Sequence, residues 1–199
     1  MKVELRCIAC ILNRGYLQIQ EATDDKSLQF KTLSSVLNFL AVEFKSTANP
    51  AYLGTKRDQI IKEKTNNPDP YLKKKKLSNQ KALEILPIAK RIISQELSTL
   101  SRFRKACLSA IVGNIIEFDL PENPFDFNYL KNLIQQSEKD LAIDDINLIF
   151  EEAKKAKNVL YLTDNAGEIV FDMLLVEELK KLGTEVIVAV KSGPILNDA

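Results

Sequence analysis

Val159-Leu160-Tyr161-Leu162-Thr163-Asp164-Asn165-Ala166-Gly167-Glu168 begins as an apolar run and ends in oxygen-bearing side chains. Val186-Ile187-Val188-Ala189-Val190-Lys191-Ser192-Gly193-Pro194-Ile195-Leu196-Asn197-Asp198 repeats the design. Between them, Ile169 to Leu182 has the spacing of an amphipathic helix. Strand–helix–strand is the unit of a parallel sheet, and such sheets hold their ligands beyond the carboxyl ends of the strands. Two adjacent strand exits are thus expected to turn Asp164, Asn165 and Asp198 toward one point.

Upstream, from the start to residue 156, the pattern is helical. Leu28, Leu33, Val36, Leu37, Leu40 and Phe44 recur at helical spacing, and Asn49-Pro50 breaks the run. A helix is expected over Tyr52 to Lys64. Asp69 reads as the N-cap of the next helix, with Pro70 at its first position and Pro87 expected to kink or divide it. Further helices are expected over Leu100–Phe118, Phe127–Lys139 and Ile143–Ala156, with a loop at Leu120–Pro124. The fold class is therefore mixed: a helical region, 1–156, followed by the start of an α/β domain, 157–199. Two parallel strands make a poor sheet alone. The expectation is that the chain is C-terminally truncated, the alternative being that the helical region covers the sheet in an unusual way.

Composition excludes several classes. The 199 residues carry 28 basic and 27 acidic side chains, a net charge of +1 that gives no general attraction to nucleic acid or acidic lipid. No signal sequence is evident and no apolar stretch would span a bilayer, so the cytoplasm is the expected compartment. With no histidine, the commonest general base and every His-dependent triad or zinc motif drop out. No Gly-rich dinucleotide or P-loop motif occurs.

Carboxylate, amide oxygen and carboxylate from Asp164, Asn165 and Asp198 form an all-oxygen set suited to a hard cation such as Mg²⁺ or Mn²⁺. The plainer reading makes Asp164 an N-cap, Asn165-Ala166-Gly167 a turn and Asp198 a loop carboxylate. Lys191 would serve a phosphate oxygen as a point charge. Glu168 either takes part in acid/base chemistry or complements the helix dipole. Asn114, after Gly113 in a helical pattern, either reaches the site or marks a helix end. Cys7 and Cys10 share a helix face; burial, redox and metal roles all stay open, although with Cys107 there are only three thiols. Lys73–Lys76 reads as a solvated helix face.

The segments Asp164-Asn165-Ala166-Gly167-Glu168 and Lys191 to Asp198 resemble the two metal-site motifs of the damage-control phosphatases, the ARMT-like family once known as a domain of unknown function. Cys7-Ile8-Ala9-Cys10, Asn67-Pro68-Asp69-Pro70-Tyr71 with Lys75 and Asn79, and Gly113-Asn114-Ile115-Ile116-Glu117 resemble its prokaryotic subfamily. The resemblance implies a helical region joined to a Rossmann-like α/β/α domain. It also implies a phosphatase dependent on a divalent metal (Mn, Co, Ni or Mg) that acts on small phosphorylated metabolites, damaged or surplus sugar or nucleotide phosphates among them. Asp164, Asn165 and Asp198 would be metal ligands, with Asp164 and Glu168 catalytic and Lys191 and Asn114 binding substrate. Attack by an activated water is expected, with direct attack by Asp164 as the alternative. The competing functions are a carboxyl methyltransferase and a non-catalytic metal-binding or interaction module.

Overall fold

The computed structural model describes residues 2–116, 127–196 and 198. Phe118, Glu117 and the expected loop at Leu120–Pro124 lie outside the described residues. The chain forms two compact units. Residues 1–73 with 193–196 make the first, and 74–192 with 197–199 the second. The change from helical to extended period at 156/157 falls inside the second unit.

The first unit is built on three helices, α1 (Leu5–Ala22), α2 (Lys26–Glu43) and α3 (Pro50–Thr65). Asp25 caps α2 by accepting the Ser27 and Leu28 N–H groups at 2.8 and 3.2 Å. Asn49 caps α3 with Pro50 in the first turn, where a missing N–H costs nothing. Ile11, Ile19, Val36, Leu40, Leu53 and Ile61 form the core between them. Gly15 allows a close approach: a Cβ there would lie 3.0 Å from Arg57 Cδ. The Arg57 guanidinium is buried against the Asp58 carboxylate and the Ile11 carbonyl.

α4 (Leu72–Ser94) corrects one expectation and narrows another. It starts at Leu72, whose N–H donates to the Asp69 carbonyl, so Asp69 and Pro70 form the preceding turn rather than its cap and first residue. Pro87 sits inside the helix without dividing it. The flanking Ile85 and Ala89 are buried, and that packing offsets one missing backbone hydrogen bond.

The second unit is organised around α5 (Thr99–Ile116), which packs on α6 (Phe127–Asp140), α7 (Ile146–Ala153) and α8 (Glu168–Lys181). α7 is shorter than its apolar pattern suggests. Asp144 accepts the Ile146 N–H and also pairs with Arg104, so the chain before Ile146 is held as a turn. Phe103, Leu108, Val112, Leu130, Ile134, Phe171 and Leu174 are the heart of the core. β1 (Asn158–Leu162) and β2 (Glu185–Ala189) pair in parallel, with Leu160 opposite Ile187 and Tyr161 opposite Val188. Val159, Tyr161 and Val186 face the core, whereas Leu160, Leu162 and Ile187 are 62%, 72% and 55% exposed. Among the described residues the sheet has two strands and one covered face. No helix among them is long and apolar enough to cross a membrane.

Candidate functional site

The ladder continues one residue past β1, where the Thr163 N–H and hydroxyl both donate to the Ala189 carbonyl at 3.1 Å. The chain then turns into α8 through Gly167 at φ 87, a left-handed conformation that glycine adopts without steric cost. A Cβ on Gly167 would also lie 3.2 Å from Ser78 Cβ. The Gly167 N–H donates to Asn79 Oδ1 at 2.6 Å, so a side chain from α4 pins the turn. Asp164 does not cap α8, whose N-cap is Gly167 with no side-chain capping bond. Its carboxylate projects from the strand exit, 61% exposed.

Asp198 returns to the same place. It forms an isolated antiparallel bridge with Asn165, and its side chain is 14% exposed. The Lys191 ammonium lies between the two carboxylates, 3.0 Å from Asp164 Oδ1 and 2.8 Å from Asp198 Oδ2. These bonds, that to Asp198 foremost, hold its pKa above the usual lysine range. On the other side, Glu168 Oε2 accepts from Asn165 Nδ2 at 2.9 Å and from Asn114 Nδ2 at 2.8 Å. Asn114, Glu168, Asn165, Asp198, Lys191 and Asp164, the six residues singled out from the sequence, thus form one continuous polar chain.

The donor set suits a hard divalent cation. Two carboxylates already grip one cationic nitrogen, and the Asn165 amide donates its nitrogen to Glu168 beside them. Among the described residues no three Asp, Glu, Cys or His side chains converge closely enough to hold a metal.

One residue beneath the site was not anticipated. Asp172, one turn below Glu168 on α8, is 3% exposed and accepts from the Tyr161 hydroxyl at 2.8 Å. Burial pushes its carboxyl up from 3.8 to about 6; the Tyr161 bond pulls it down, and Glu168 and Asp164 push it up further. Its sequence signal was an acid on the apolar face between Phe171 and Leu174. Asn79 was singled out only within the subfamily-like motif; its hold on the Gly167 turn had no local signal, because that partner lies 88 positions away. Asn114, Glu168, Asp172, Tyr161 and Cys107 line a cavity of about 620 Å³. Cys7 and Cys10 belong to the first unit and take no part in this cluster.

The damage-control phosphatase PH1575 of Pyrococcus horikoshii is 34% identical over 201 residues, covering 100% of this chain and 67% of that protein. The uncharacterized protein MJ0202 of Methanocaldococcus jannaschii is 33% identical over 202 residues and is covered to 65%. A damage-control phosphatase of Archaeoglobus fulgidus is 33% identical over 204 residues and is covered to 68%. The chain therefore spans about two thirds of the length of these relatives. The crystal structure of PH1575, described as a DUF89 family protein, superposes with a TM-score of 0.80 at 34% identity, over 100% of this chain and 67% of that one. The model of the damage-control phosphatase ARMT1-like domain matches residues 3–199. With the fold, the identity and the family model in agreement, the chain belongs to the damage-control phosphatase ARMT1-like family.

Proposed function

We propose that this chain carries the metal centre of a divalent-metal-dependent phosphatase, a phosphoric monoester hydrolase acting on small phosphorylated metabolites in the cytoplasm, damaged or surplus sugar or nucleotide phosphates being the substrate class. The observation that carries the reading is the bridging of Asp164 and Asp198 by one ammonium. Carboxylates from two chain segments converge where β1 ends, in the position that α/β sheets reserve for ligands. The strand–helix–strand is read in the same terms as the first unit of a Rossmann-like α/β/α domain.

Asp164, Asp198 and the Asn165 amide would hold Mn²⁺, Co²⁺, Ni²⁺ or Mg²⁺. The ion, when bound, supplies Lewis acidity and charge neutralisation at a phosphoryl oxygen. Lys191 then turns its ammonium to a phosphate oxygen as a point charge. Glu168, which accepts from two amides, would receive a proton from the attacking water, and Asn114 beside it would offer hydrogen bonds to the substrate. The test is phosphate release from a panel of sugar and nucleotide monophosphates with each of the four metals. Asp164→Ala is expected to bring release to background. Release as fast as the parent's would remove Asp164 from the chemistry, and methyl transfer from adenosylmethionine without phosphate release would replace the reading altogether.

A further inference from the structure

α1 presents Cys7 and Cys10 in its first two turns, on one face, with helical spacing placing their Cβ atoms roughly 5–6 Å apart. Cys10 is exposed and Cys7 half-buried, and neither is in a disulfide. Cys7 Sγ accepts the Glu4 N–H at 3.3 Å, so this sulfur helps to finish the helix end. Both thiols line a cavity of about 330 Å³ with Arg14, Arg57, Ile195 and Leu196. The last two come from the loop joining Lys191 to Asp198. Residues 193–196 pack as part of the helical unit, and the Lys62 ammonium donates to the Pro194 carbonyl. Leu196 is held at φ 46, a left-handed conformation uncommon for a non-glycine residue, two positions before Asp198.

We propose that Cys7 and Cys10 are a reversible dithiol–disulfide pair, oxidised by disulfide exchange, and that the loop delivering Asp198 senses their state. A low-molecular-weight disulfide is the oxidant. The exposed Cys10 thiolate attacks one of its sulfurs, forms a mixed disulfide and expels one thiolate. Cys7 gives its proton to solvent and attacks Cys10 Sγ, and the second thiolate leaves. Two protein thiols are oxidised to one disulfide and the small disulfide is reduced to two thiols. A disulfide needs Cβ atoms about 3.8 Å apart, closer than the helical spacing, so closure tightens the first turn of α1. That breaks the Glu4 N–H bond to Cys7 and moves the cavity wall against Leu196. Strain of this kind makes a disulfide easy to reduce, which suits reversibility. A soft-metal role fits less well, since a closed zinc site takes four ligands and no three candidate side chains converge among the described residues.

Cys107 is a built-in control, because burial pushes its thiol up to about 12. Residues 1–199 would be equilibrated across a series of glutathione redox buffers, quenched by alkylation and analysed by intact mass and peptide mapping, with hydrogen exchange read over residues 193–196. The expected oxidised product has lost two hydrogens, carries a Cys7–Cys10 link, leaves Cys107 reduced, and exchanges several-fold faster in that loop. Cys7→Ser is expected to stop at a glutathione adduct on Cys10 with loop exchange unchanged, and to keep the far-ultraviolet dichroism of the parent. Absence of the intramolecular bond in the most oxidising buffer would overturn the pairing. A bond that forms while loop exchange stays constant would overturn the coupling. Neither readout depends on phosphatase activity or metal.

Discussion

The Lys191 ammonium occupies the space between Asp164 and Asp198 that the proposed cation would take. The two compete, so Lys191→Met is expected to tighten Mn²⁺ binding several-fold by calorimetry while lowering the turnover of phosphate release about 10- to 100-fold, because a positioned charge on the phosphoryl group is lost. Parallel losses in both would mean that the lysine supports the fold rather than the chemistry. Asp172 makes a second residue-level prediction. Its folded pKa, about 6 against an ordinary 3.8, means that the folded chain binds more protons than the unfolded chain between those values. Its contribution to stability is therefore fully present below the lower value and is lost as pH rises through the upper one. Tyr161→Phe removes the bond that lowers this pKa, so the Asp172 midpoint in a carboxyl-carbon NMR titration is expected to move upward. A downward or absent movement would show that the hydroxyl is not what holds the carboxylate.

At the scale of elements, the polar strand exits, the break at Asn49-Pro50 and the helix between the strands were all legible, since each is written in adjacent residues. Pro87 leaves α4 undivided, its local penalty being offset by burial on either side. The contact of α5 with α8 was not legible at all. A Cβ on Gly113 would come within 2.9 Å of Phe171 Cβ; Gly113 is buried and Phe171 lies in the core of the unit. Gly113→Ala gains helix propensity but forces the helices apart, and is expected to destabilise by about 1–3 kcal/mol in urea unfolding. Since Asn114 follows directly, the same substitution should weaken its bond to Glu168 and lower phosphate release more than the stability loss explains. Unchanged stability would show that Phe171 yields freely.

At the scale of the molecule, a parallel sheet normally has both faces covered. Here Leu160, Leu162 and Ile187 form an exposed apolar strip on the face away from α8. Leu160→Gln with Leu162→Gln is expected to reduce both hydrophobic-dye fluorescence and light scattering of residues 1–199 while changing unfolding free energy by no more than about 0.5 kcal/mol. Undiminished dye binding would place the sticky surface elsewhere. The amino-acid sequence by itself determined the helical region, the strand–helix–strand and the oxygen-bearing side chains at the strand exits, because periodicity and turn residues act over a few positions. Only the tertiary structure decided that Asp198 pairs with Asn165, that Lys191 joins the two carboxylates, that Asn114 and Asn165 share Glu168, and that Asn79 holds the turn. Those partners are far apart along the chain, and the packing of helices and strands, rather than local propensity, selects which of many polar side chains meet.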